Sequence, residues 1–97
     1  MICFEISVNG AKVCTAGLPD GVLSFDVIWH GPDNRRPDEP KGVGHWSVGG
    51  RTEEHGYVEH VWWRSVQRLS EADVVTLRVI TADHADEPAE RERAKDD

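Results

Sequence analysis

The chain predicts an all-β domain, a small antiparallel β-sandwich or open barrel of about six strands, with a polar acidic C-terminal tail. Three observations carry that expectation. Near the end, Val75, Leu77 and Val79 alternate with Thr76 and Arg78, the period-2 pattern of a half-buried strand. Three further alternating stretches open the chain. The first two meet at Asn9-Gly10, the strongest short hairpin signal, since both residues tolerate the positive φ of a type I′ turn.

In the first stretch Ile2, Phe4, Ile6 and Val8 alternate with Cys3, Glu5 and Ser7. A two-residue loop then sets Val8 opposite Ala11, Ile6 opposite Val13 and Phe4 opposite Thr15. On that register Glu5 faces Cys14, and Cys3 is diagonal to Cys14, poorly placed for a disulfide. Two small reduced thiols in a reducing compartment are the expectation. Gly17 to Gly21 is a turn by composition. Leu23, Phe25, Val27 and Trp29 then mark a third strand of about eight residues, the makings of a meander or a Greek key.

Residues 31–44 hold three prolines and three glycines, which break ladders and helices alike. A loop of that length in a small domain is either functional or disordered. His45 to Val48 reads as a short strand, and Gly49 to Gly56 as a turn. From Tyr57 onward two readings stay open. Val58, Val61, Trp62, Val66 and Leu69 fit a helical stripe, while Tyr57, Val61 and Trp63 fit one strand face. β-Branched and aromatic content favours the strand. Leu69 to Asp73 is a tight polar turn into the last strand. The domain division is therefore residues 1–81 as the β domain and 82–97 as the tail. In the tail, Pro88 and the Glu87–Arg91 spacing suit a helix that has no apolar face to bury.

At 97 residues the chain is one domain. Its net charge is −7, and the tail contributes −4 of that with seven acids against three bases. An acidic chain lacks the clustered Lys and Arg that phosphate contacts need, so no nucleic-acid partner is expected. Arg35-Arg36 is the only adjacent basic pair, ringed by Asp33, Asp38 and Glu39, and it is a candidate partner contact. No apolar run approaches a membrane span, and the alternating N-terminus does not form a signal core. A cytoplasmic location with no membrane partner is the expectation.

Val13-Cys14-Thr15-Ala16-Gly17 with Gly21-Val22-Leu23-Ser24, and Ala72 to Ile80 with Asp83, Asp86 and Pro88, resemble a group of small bacterial proteins with no assigned function. The resemblance covers the two ends of the chain and not the 31–66 middle. It implies a compact bacterial domain and carries no active site across. This chain has Ala72 where that group's turn calls for glycine.

Chemistry-bearing motifs are scarce. Gly42-Val43-Gly44 lacks the third glycine of a dinucleotide loop, and Ser47 between Gly44 and Gly49 misses a nucleophile elbow by one residue. His45 and His60 approach each other only if residues 46–63 form a hairpin, and no metal or cofactor is expected. Asp26, His30, His45 and Glu59 are the polar groups that a shared sheet end would gather, too dispersed to read as an enzyme.

Trp29, Trp46, Trp62 and Trp63 are the odder feature. Adjacent Trp62 and Trp63 must point to opposite strand faces, so Trp62 needs the 31–44 loop, a ligand or a symmetric partner to cover it. The expectation is a non-catalytic interaction module that self-associates, as a homodimer or with an unknown protein partner. Two alternatives stand beside it. One is a carbohydrate or small-ligand module presenting Trp62 with Tyr57 or Trp46. The other is a small acidic inhibitor steered by charge to a basic partner.

Overall fold

The structure is a computed structural model describing residues 1–94. Its strands are β1 (Ile2–Val8), β2 (Ala11–Gly17), β3 (Val22–His30), β4 (Val43–Thr52), β5 (Glu59–Leu69), β6 (Val75–Thr81) and β7 (Glu90–Arg93). They form two antiparallel sheets, ordered β2-β1-β6 and β3-β4-β5-β7. The sheets pack on each other without closing into a barrel. Among the described residues no helix is long and apolar enough to cross a membrane.

Asn9 and Gly10 take φ values of +50° and +83°, the type I′ geometry the sequence predicts. The register holds for Val8–Ala11 and Ser7–Lys12 and then slips. Ile6 opposes Cys14, Glu5 opposes Thr15 and Phe4 opposes Ala16, so the expected partners are one residue out. Val13 is the extra residue of a β-bulge, and a one-residue slip moves every later side chain to the other face. Cys14 therefore enters the core beside Ile6, where burial pushes its thiol pKa up. Both cysteines are free and buried.

β3 does not continue a meander with β1 and β2. The free edge of β1 is taken by β6, in unbroken register from Ile2–Thr81 to Val8–Val75. The chain crosses at Gly21 (φ +103°) to begin the second sheet. β4 runs through Gly49-Gly50, which the sequence marks as a turn. Neither glycine adopts the left-handed φ of Gly56, whose N–H bonds Glu53 O at 3.0 Å and makes the real turn. β5 is a strand throughout, and the helical reading of residues 57–69 fails.

The tail departs furthest from expectation. Among the described residues no helix forms, and residues 95–97 of the expected tail lie outside them; Glu90–Arg93 pairs with β5, and the segment before it straps across β2. Asp86 Oδ2 accepts from Thr15 N at 2.8 Å, and Asp86 N donates to Thr15 O at 2.9 Å. A polar segment can do this because main-chain bonds and ion pairs need no apolar face. The first core layer holds Ile6, Cys14 and Ala16; the second holds Trp46, Val48, Val61 and Trp63. Phe4, Leu23, Phe25, Leu69 and Val75 close around them.

Arg64 Nη2 on β5 donates to Val13 O on β2 at 3.2 Å, so β2 lies under β5. Strand order then puts β6 on the same side of the molecule as β3. The molecule measures 46 × 38 × 16 Å, two layers thick. Its radius of gyration, 15.5 Å, exceeds the roughly 13 Å of a compact chain this long. The sheets overlap only in part, and apolar faces run past the overlap.

Candidate functional site

Two surfaces stand out. The first is a shallow groove on the outward face of the second sheet, with a volume of about 300 Å³. The pleat supplies it: Val22, Ser24 and Asp26 from β3, Ser47, Gly49 and Arg51 from β4, and His60 and Trp62 from β5. Trp62 opposes Gly49 across the β4–β5 ladder. A Cβ at Gly49 would stand 2.9 Å from Trp62 Cδ1 and 2.6 Å from Val61 O. Glycine there lets the indole lie across the neighbouring strand. The His60 ring sits 6.2 Å from it, tilted by 32°.

The second surface is the side of the sandwich where β3 and β6 end their sheets. Among the described residues ten large apolar side chains are exposed, and six of them stand on these two strands. They are Val22 (which also borders the groove), Val27, Ile28 and Trp29 on β3 and Leu77 and Val79 on β6, with Val22 and Val79 each 63% exposed. Met1, Ile2, Val66 and Val74 lie outside these two strands.

The five sequence-selected residues do not converge. Trp62 lines the groove, but Trp46 is buried in the core on the sheet's other face. Tyr57 lies under the Arg93 guanidinium, 4.5 Å from its ring centre. Arg35 is forked onto Asp33 at 2.9–3.2 Å, which lowers the Asp33 pKa, and Arg36 is exposed beside it in the β3–β4 loop. That loop covers Trp29 rather than Trp62: Trp29 Nε1 donates to Lys41 O at 3.1 Å. Its Lys41 pairs with Glu71 at 2.8 Å and its Glu39 with Arg68 at 3.0 Å, which fastens the loop.

Of the dispersed polar groups, His30 and His45 meet with ring centres 5.6 Å apart. His45 pairs with Arg68 and His60 with Arg51, so those two histidines stand at opposite ends of the β4–β5 ladder. Glu59 is buried opposite Thr52, away from Asp26. One donor cluster was invisible in the sequence. Glu54, His55 and Glu59 bring ligand atoms within 4.8 Å of one another. Arg91 Nη1 already bonds Glu59 at 2.6 Å and approaches Glu54 at 3.6 Å, so a cationic head fills the place a metal ion would take.

Compared with protein families, with curated proteins and with solved structures, this chain finds no match.

Proposed function

We propose that this chain is a non-catalytic interaction module that self-associates through the β6 edge. The observation that carries the reading is the open side, where six of the ten large apolar side chains exposed among the described residues stand on two strands that end their sheets. An edge strand is a template for another strand, and natural domains blunt such edges with charge, bulges or cover. β6 has one cation, Arg78, and among the described residues only β1 pairs with it.

Its sequence is self-complementary when two copies pair antiparallel about Leu77. Leu77 then opposes its own copy, and Val75 opposes Val79 of the second copy. Arg78 meets Thr76 rather than another arginine. Centring the pair on Arg78 would set two cations face to face, which is destabilising. The result is a continuous six-stranded sheet, a C2 contact that closes on itself. Half-exposed aliphatics and one short ladder must outweigh the lost translational and rotational freedom, so the dimer belongs in the micromolar range, about −6 to −8 kcal/mol.

Sedimentation of the full chain tests this. The mass should rise from monomer to dimer as concentration increases to about 100 µM. Val79→Lys, at an exposed position, should hold it monomeric with an unchanged circular dichroism spectrum. A concentration-independent monomer, or a dimer indifferent to Val79→Lys, would overturn the proposal.

A further inference from the structure

We propose that the groove on the outward face of the second sheet binds a neutral saccharide, with one sugar ring stacked on Trp62. This reading is independent of self-association, since the groove is centred on β4 and β5, inside the sheet.

The floor comes first. Trp62 is half-buried, and its pyrrole edge is seated over Gly49. An indole lying across a strand turns one face to the main chain and the other to the groove. The apolar C–H face of a pyranose packs against such a ring, whose π-cloud is the negative side of its quadrupole.

The rim follows. Asp26 only accepts hydrogen bonds, Arg51 only donates them, and the Ser24 and Ser47 hydroxyls do both. None of these four side chains, nor His60, is engaged in the side-chain hydrogen bonds or ion pairs among the described residues. Vicinal hydroxyls need both acceptors and donors within one ring's width, and this rim supplies both. One carboxylate and one guanidinium offset each other, which favours an uncharged ligand. A volume of about 300 Å³ suits one or two sugar rings, at the small end of ligand sites.

Other occupants fit less well. A nucleotide would stack equally on Trp62, but its phosphates would find only Arg51 in a chain of net charge −7. An extended peptide needs a free sheet edge for its main chain, and the strands under Trp62 are paired on both sides.

The test is a ¹H–¹⁵N titration of the full chain with tetrasaccharides of glucose, N-acetylglucosamine, xylose and mannose, and with inorganic phosphate. At least one tetrasaccharide should move the Trp62 indole signal and the Ser47 and Gly49 amides, while the buried Trp46 and Trp63 indoles stay still. Trp62→Ala should abolish binding. Asp26→Asn, at an exposed residue that leaves the fold intact, should weaken it at least tenfold, about 1.4 kcal/mol. Silence of the Trp62 signal with every sugar at about 10 mM, in the millimolar range where single-ring stacking should register, would overturn the proposal. So would shifts produced by phosphate and not by sugars, or saccharide binding that survives both substitutions.

Discussion

The two long sides of the sandwich are finished in opposite ways. On the β2 side the chain returns over its own edge. Asp86 takes both main-chain hydrogen-bonding groups of Thr15, Trp63 Nε1 donates to Asp86 O at 2.7 Å, and Ala85 lies against Gly17. The outermost strand beyond β5 reads Glu-Arg-Glu-Arg, with Arg91 bonded to buried Glu59. On the β3–β6 side, among the described residues, only the β3–β4 loop reaches over, at Trp29, and aliphatic side chains stand in the open. Edge protection in this molecule is therefore local and asymmetric. The strapped side holds the fold together, and the bare side is the one the proposed self-association would use.

That contrast breaks most visibly at Trp63, which is 1% exposed and bridges core and strap. Trp63→Ala should cost about 3–5 kcal/mol, from lost burial plus the cavity left behind. Urea unfolding would report it, whereas Trp29→Ala on the bare side, where the ring is 46% exposed, should cost far less. A smaller effect belongs to Asp86→Ala. It strands the Thr15 N–H and should cost about 1–2 kcal/mol, with faster amide exchange at Thr15.

Smaller again, and of opposite sign, is the effect at Ala72. It holds φ +71° in the Ser70–Asp73 turn, a left-handed conformation that costs an L-residue roughly 1–2 kcal/mol. Ala72→Gly removes that strain but adds chain entropy to the unfolded state, leaving a net gain of about 0.5–1 kcal/mol in thermal or urea unfolding.

The smallest effect is electrostatic. The Asp73 carboxylate accepts from Ser70 N at 2.7 Å and from Asn9 Nδ2 at 3.1 Å, tying the β5–β6 turn to the β1–β2 turn. Those bonds, the Ser70 main-chain one foremost, lower its pKa. The folded state thus binds the proton less tightly than the unfolded one. The contribution is complete above the unfolded carboxylate range and is lost as pH falls through the folded value. Asp73→Ala should destabilise the protein at about pH 6, and the difference should shrink as pH falls below the unfolded carboxylate range, a convergence that acid titration would show.

Much of this architecture is legible in the sequence, because alternation and Asn9-Gly10 act locally. The opening hairpin, β3, β6 and the split of Trp62 from Trp63 all follow from period-2 patterning. What escapes is non-local. Val13 looks like an ordinary strand residue, and nothing beside it announces a bulge. Gly49-Gly50 looks like a turn, yet these glycines serve close approach: a Cβ at Gly50 would stand 2.5 Å from Val22 O. The strap is polar and pairs through main-chain bonds, so no apolar stripe advertises it. Of the groove, Trp62 and Asp26 draw notice in the sequence. Ser24 and Ser47 gain meaning only once β3 and β4 are known to be neighbours; Ser24 on the wet face of an alternating strand was the one available signal.

The most direct measurement for the bare edge is disulfide trapping with Leu77→Cys. In the proposed register the two introduced thiols stand directly opposite, at a Cα separation of about 4.5–5.5 Å, which a disulfide spans. Native Cys3 and Cys14 are buried and stay out of the reaction. Under mild oxidation Leu77→Cys should form a covalent dimer much faster than Ser70→Cys, which lies in the exposed turn ahead of β6. Equal rates for the two variants, or no dimer from Leu77→Cys, would contradict pairing through this edge.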